Sequence, residues 1–150
     1  MKLTDRTKKP LQEQILTVLE FKAANDKWAI PALDIVRIIE NQQVFELPQQ
    51  NVPIKGYIDY NQEQTPFLSL GLLLEGVDNS NGPMVILDHD QGLLALGLAQ
   101  VYNLVRIPSS SLMKLPKVIE DTTFSTSIEN CYFDSEGKII PIVNLKAIEF

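Results

Sequence analysis

The chain has 150 residues, 45% of them hydrophobic, which is enough apolar material for a packed core and too much for a disordered chain. A net charge of −6 argues against nucleic acid or an anionic membrane surface as the main partner, because either needs a basic footprint. The single cysteine, Cys131, excludes an internal disulfide, and no apolar run approaches the ~18–20 residues of a membrane-spanning helix. The basic N-terminus lacks the apolar stretch of a signal peptide, so the expectation is a soluble cytoplasmic protein.

Residues 1–13 are polar and carry Lys2, Arg6, Lys8, Lys9 and Pro10, which predicts a flexible, solvated arm. Gln14–Lys22 is compatible with helix or strand. The polar turn Ala24-Asn25-Asp26-Lys27, leading directly into Trp28-Ala29-Ile30-Pro31, favours two strands. Trp28 alternates in step with Ile30 and reads as core. Leu33 to Ile39 is mainly β-branched and predicts a further strand, and Phe45–Lys55, with Pro48 and Pro53, predicts a loop.

The segment Gly56–Leu70, GYIDYNQEQTPFLSL, has two alternating apolar arms around a polar tip, Asn61-Gln62-Glu63-Gln64, and predicts a β-hairpin. Gly56 opens its first strand, where a missing Cβ allows close approach, and Pro66 is expected at the start of its second. Tyr57 and Tyr60 differ in parity, so one is expected to pack and the other to face solvent. Gly71–Leu74 is apolar, and Asp78-Asn79-Ser80-Asn81-Gly82-Pro83 is the densest turn signal in the chain. Beyond it, Met84–Leu87, Leu93–Val101 and Tyr102–Ile107 predict strands, 108–126 a loop, and Ser127–Leu145 a final hairpin about Asp134-Ser135-Glu136-Gly137.

The two sides of the 78–83 turn echo each other. Leu19–Phe21, Trp28-Ala29-Ile30 and Val36-Arg37-Ile38 correspond to Ile86-Leu87, Leu94-Ala95-Leu96 and Val105-Arg106-Ile107. Thr65-Pro66-Phe67-Leu68-Ser69-Leu70 likewise matches Ile140-Pro141-Ile142-Val143-Asn144-Leu145. About ten short strands with few helix signals predict an all-β pair of small barrels, in halves about 14–77 and 84–150. Neither half would bury much core alone, so an apolar seam is expected between them, using the leucine side of 94–98 and part of 28–38.

Catalytic signals are weak. Asp88-His89-Asp90 holds the only histidine but lacks further ligands at metal-binding spacing, and reads as a solvated turn. Ser111-Leu112-Met113-Lys114 spells a hydrolase-type S-x-x-K without its companion motifs. Cys131 lies in an apolar strand pattern as a structural thiol, and no Gly-rich phosphate loop is present. The expectation is a protein without catalytic residues, metal or cofactor. Arg37 and Arg106 read as solvent-facing strand residues.

The order F-x6-W-A-I-P, L-D-I-V-R-I-I and K-G-Y-I-D-Y-N-Q-E-Q-T-P-F-L-S-L resembles the CheW-like domain of bacterial chemotaxis coupling proteins, over roughly residues 14–148. In that family the central hairpin typically reads G-V-I-N-L-R-G, two residues, then V-P-V-I-D-L. This sequence has Asn61-Gln62 where the family has Arg-Gly, Ser69 where it has Asp, and Arg37 where an acid is common. The resemblance implies two packed five-stranded SH3-like barrels with short helical or irregular connections. It implies a non-enzymatic scaffold that couples the regulatory domain of a chemotaxis-type histidine kinase to a methyl-accepting chemoreceptor tip. Carried over by position, the partner-binding candidates are Ile35, Arg37, Gly56, Asn61 and Gln62. The departures point to a divergent member, such as one serving a pilus-motility pathway without ordinary receptor coupling. The alternative from another class is a small-ligand-binding β-barrel protein with its site between the barrels.

Overall fold

The computed structural model describes residues 13–40, 42–48, 54–114 and 128–144. The expected arm, except Glu13, lies outside the described residues, as does the expected 108–126 loop beyond Lys114. The elements are β1 (Ile15–Ala23), β2 (Asp26–Pro31), β3 (Ile35–Ile39), β4 (Phe45–Glu46), β5 (Ile54–Tyr60), β6 (Glu63–Ser69), α1 (Leu70–Glu75), β7 (Met84–His89), β8 (Gly92–Gly97), β9 (Gln100–Pro108), β10 (Met113–Lys114), β11 (Ile128–Phe133) and β12 (Ile139–Val143). Short 3-10 turns at Ala32–Asp34 and Ser109–Ser111 follow Pro31 and Pro108.

The strands form two six-stranded sheets. Sheet A runs β10-β11-β12-β2-β1-β9 and sheet B runs β3-β7-β8-β6-β5-β4. Each contains five longer strands and one two-residue edge strand, β10 or β4. This is the all-β double SH3-like architecture expected from the sequence. The sheets do not coincide with the sequence halves on either side of 78–83. Hairpin β1–β2 completes the sheet of β9–β12, and hairpin β7–β8 completes the sheet of β3–β6.

The echo in the sequence has a structural basis. In each sheet one parallel pairing joins a hairpin to the strands it completes: Ile142 opposite Ala29 in A, and Phe67 opposite Ala95 in B. Each apolar residue follows its proline, Pro141 or Pro66, and each alanine lies between large apolar residues. The last pair in the expected echo is out of step. Ile38 pairs with Val85 and Leu104 with Leu19, and these two partners hold equivalent places one residue before the one facing the alanine. Leu104, not Ile107, therefore answers to Ile38.

Strand parity divides the buried residues into three groups. Leu19, Phe21, Trp28 and Ile30 from sheet A meet Leu68, Val85, Leu87, Leu94, Leu96 and Leu98 from B, forming the expected seam. Val18, Ala29, Ile107, Tyr132, Ile140 and Ile142 fill the opposite side of sheet A. Ile58, Tyr60, Phe67, Met84, Ile86 and Ala95 fill that of sheet B. Of the two tyrosines, Tyr60 packs inside, while half-buried Tyr57 stacks on Phe45 with ring centroids 5.2 Å apart.

Three local expectations are corrected, and one apolar run gains an element. The hairpin tip is the two residues Asn61-Gln62, because Glu63 and Gln64 already pair with Tyr60 and Asp59. Pro66 lies inside β6, tolerated where the parallel ladder to β8 begins one residue later, at Phe67. The predicted 45–55 loop contains β4 and the start of β5, which pair through Phe45–Tyr57 and Glu46–Gly56. The apolar run after Leu70 is helical: Ser69 caps α1 by accepting from Leu72 N–H at 3.3 Å, and Gly76 ends it in the left-handed conformation at φ 71°.

Candidate partner-binding surface

The five candidate residues all fall on sheet B, at three places in it. Ile35 and Arg37 belong to edge strand β3. Ile35 is half-buried and packs on the seam, whereas Arg37 is exposed. A bulge between them brings Val36, Arg37 and Ile38 all to solvent in sequence. Asn61 and Gln62 form the exposed β5–β6 turn, with φ of 51° and 68°. Gly56 is buried. A Cβ there would stand 2.2 Å from the Phe45 carbonyl oxygen, so glycine lets β4 cross over β5 and contributes shape, not a side chain.

The structure adds surface residues that the sequence reading missed. Leu33, in the turn leading to β3, is 94% exposed, and Val36 and Ile38 extend this apolar strip along the sheet edge. Phe45, in β4, and Leu47, just after it, are exposed at the other edge of the sheet. The strip's pattern of valine, isoleucine and leucine is that of a core strand. Only the edge position of β3 exposes them, and no single-residue signal marks it.

The turn-rich loop after α1 fixes this sheet to the seam. Asp78 accepts hydrogen bonds from Lys55, from Ser69 Oγ at 2.9 Å and from Ser80 Oγ at 2.9 Å. Burial works to raise the Asp78 carboxyl, but those donors, with the Lys55 charge, hold it below the usual range. The family's aspartate position thus carries Ser69 here, and the carboxylate at the helix start comes from Asp78. Asn79 bridges to the other sheet, accepting from Ala24 N–H at 2.8 Å and donating to Ala24 C=O at 2.6 Å.

Sheet A carries a polar network. Buried Glu20 accepts a hydrogen bond from the Tyr132 hydroxyl, and Lys27 lies 3.7 Å from Glu20 and 3.7 Å from Asp134. Lys27 also sits over the Tyr102 ring, 5.4 Å from its centroid. Burial, reinforced by Glu20, pushes the Tyr132 phenol well above its ordinary range, so it stays a donor. Asp134 is held low by backbone N–H groups of Lys138 and Glu136 and by Lys27.

The residues weighed for catalysis are dispersed. His89 is buried and accepts Gln91 N–H at Nδ1, 3.1 Å away. Among the described residues no group of His, Cys, Asp and Glu is placed to hold a metal ion. Cys131 is buried beneath β10, and burial pushes its thiol up, away from the reactive thiolate. Ser111 ends an exposed 3-10 turn. No described helix is long and apolar enough to cross a membrane.

Comparison with known proteins agrees with this geometry. The model of the CheW-like domain matches residues 17–149. Among solved structures, the scaffolding protein TtCheW from Thermoanaerobacter tengcongensis superposes with a TM-score of 0.78 at 16% identity, covering 93% of this chain and 91% of that one. No curated protein matches. With the family match extending from β1 beyond β12, this chain belongs to the family of CheW-like domains.

Proposed function

We propose that the protein is a non-enzymatic cytoplasmic adaptor of chemotaxis-type signalling, which holds the regulatory domain of a histidine kinase and the tip of a chemoreceptor together. The observation that carries this reading is edge strand β3, within a CheW-like fold: Val36, Arg37 and Ile38 stand exposed on a sheet that ends there. A sheet edge with apolar side chains is a surface that a second barrel can continue or cover. The receptor tip, a helical element, is assigned to the region between the sheets, near Ile35. Arg37, Asn61 and Gln62 act at the rim, where charge selects among partners more than it sets affinity.

A pull-down of the purified protein against the kinase regulatory domain, with and without a receptor-tip fragment, tests the proposal. Retention of both in one complex, reduced at least tenfold by Val36→Asp, is the expected result. Val36 is the better probe than Ile35, whose side chain also packs on the seam. A folded protein that captures neither partner contradicts the adaptor reading.

A further inference from the structure

We propose that Asn81–Gly82 is a self-modifying site, where the Gly82 amide nitrogen attacks the Asn81 side chain to leave aspartate or isoaspartate, gated by the hydrogen bond that Gly82 makes to Leu98. Of the chain's asparagines only Asn81 is followed by glycine. A glycine has no Cβ to crowd its own nitrogen, so attack by that nitrogen on the preceding side chain meets the least hindrance. Once the Gly82 nitrogen has given its proton to solvent, it bonds to Asn81 Cγ, and the Cγ–Nδ2 bond breaks to release ammonia. Water then adds to either carbonyl of the resulting five-membered succinimide and opens the ring. One opening restores the main chain with an aspartate side chain. The other leaves isoaspartate, with the main chain running through Cβ and Cγ, and nothing is oxidised or reduced in either.

The fold exposes the side chain that is attacked and ties down the nitrogen that attacks it. Asn81 is exposed. The Gly82 N–H donates to the Leu98 carbonyl at 2.9 Å, and the Leu98 N–H donates to the Pro83 carbonyl at 3.2 Å. Leu98 is itself buried in the seam, and the next residue, Ala99, donates its N–H to the Lys22 carbonyl of β1 at 2.9 Å. Gly82 must break its bond to this anchored segment before its nitrogen can lose a proton and turn toward Asn81. No other residue fits at 82, because a Cβ there would stand 2.3 Å from the Ala99 carbonyl oxygen. The fold thus keeps the labile pair and restrains it. Two residues earlier, Asn79 pins the same loop to Ala24 of sheet A through both ends of its amide. Asn81 lies between these two anchors. Isoaspartate adds one main-chain carbon to the span between them, so conversion loosens the hold of the loop on the seam.

The experiment measures two rates that depend on the same nitrogen in the intact protein. One is hydrogen exchange at the Gly82 amide, followed by NMR. The other is the mass gain of amide-to-acid conversion at Asn81, followed by peptide mapping during incubation at mildly alkaline pH. Each is compared with the same chain in denaturant. Folding is expected to slow both by one common factor of at least about tenfold, because both need the same local opening. Asn79→Ala releases one anchor of the loop and is expected to lower that factor by about fivefold in both, as the loss of one net hydrogen bond implies. Asn81→Gln, whose longer side chain would have to close a six-membered ring, loses the mass gain. Native conversion as fast as in denaturant, protection of Gly82 without matching retardation at Asn81, or a mass gain that survives Asn81→Gln overturns the proposal. Neither readout involves a kinase or receptor, so failure here leaves the adaptor reading standing.

Discussion

The two sheets share one topology but fill their interiors differently. Glu20 and Ile86 hold equivalent places, each directly opposite the alanine of its partner strand, Ala29 or Ala95. Tyr132 and Ile58 likewise follow the residues that face Pro141 and Pro66. Sheet A thus places a carboxylate and a phenol where sheet B places two isoleucines. It satisfies them with Lys27, whose counterpart in B is Leu93. At one pair of equivalent surface positions the order is inverted. The cross-strand pair Phe133 and Ile139 is exposed in A, while the equivalent Asp59 and Gln64 in B are polar. The repeated apolar frame fixes topology, and polar groups can be exchanged into it where partners come with them.

Transplanting the carboxylate breaks this comparison most severely. Ile86→Glu buries an acid among Ile58, Met84 and Phe67 without a lysine, and is expected to cost about 3–5 kcal/mol at neutral pH. Chemical denaturation measures it, and the loss shrinks in acid as the introduced carboxyl is protonated. Removing one partner in sheet A costs less: Tyr132→Phe leaves Glu20 with Lys27 and is expected to lose about 1–3 kcal/mol. Ser69→Ala removes both the helix cap and a donor to Asp78, and is expected to lose about 1 kcal/mol.

The smallest effect has the opposite sign. In sheet B the hairpin turn places Asn61 and Gln62 at positive φ, whereas the β11–β12 turn of sheet A has Gly137 at φ 81°. Gln62→Gly relieves the left-handed strain and is expected to stabilise by up to about 1 kcal/mol, read as a raised melting temperature. If the gain appears, the family's Arg-Gly turn differs here through function and not through folding.

Much of the fold was legible because hairpins leave local marks. The Ala24-Asn25 turn, the Asp134–Gly137 turn and the alternation at 94–98 are each set by neighbouring residues. What was not legible depends on tertiary position. The interleaving of sequence halves arises from the long-range pairs Val18–Val105 and Ile38–Val85, which no local pattern encodes. The helix 70–75 reads only as an apolar run, because it is too short to show a helical period, and only the Ser69 cap and Gly76 mark its ends. At the candidate surface, Arg37, Asn61 and Gln62 were readable as exposed. Val36 and Ile38 were not, since β-branched residues look the same in a core strand and at a bare sheet edge.

The proposed adaptor would carry two partners on separate surfaces of this CheW-like domain. Backbone amide chemical-shift mapping tests it directly, with kinase regulatory domain and receptor-tip fragment added singly and then together. The expected result is one set of perturbed amides centred on Val36-Arg37-Ile38 with the kinase domain and a distinct set at the seam with the receptor tip, both present in the mixture. One shared set from which the partners displace each other, or no perturbation by either, would contradict it.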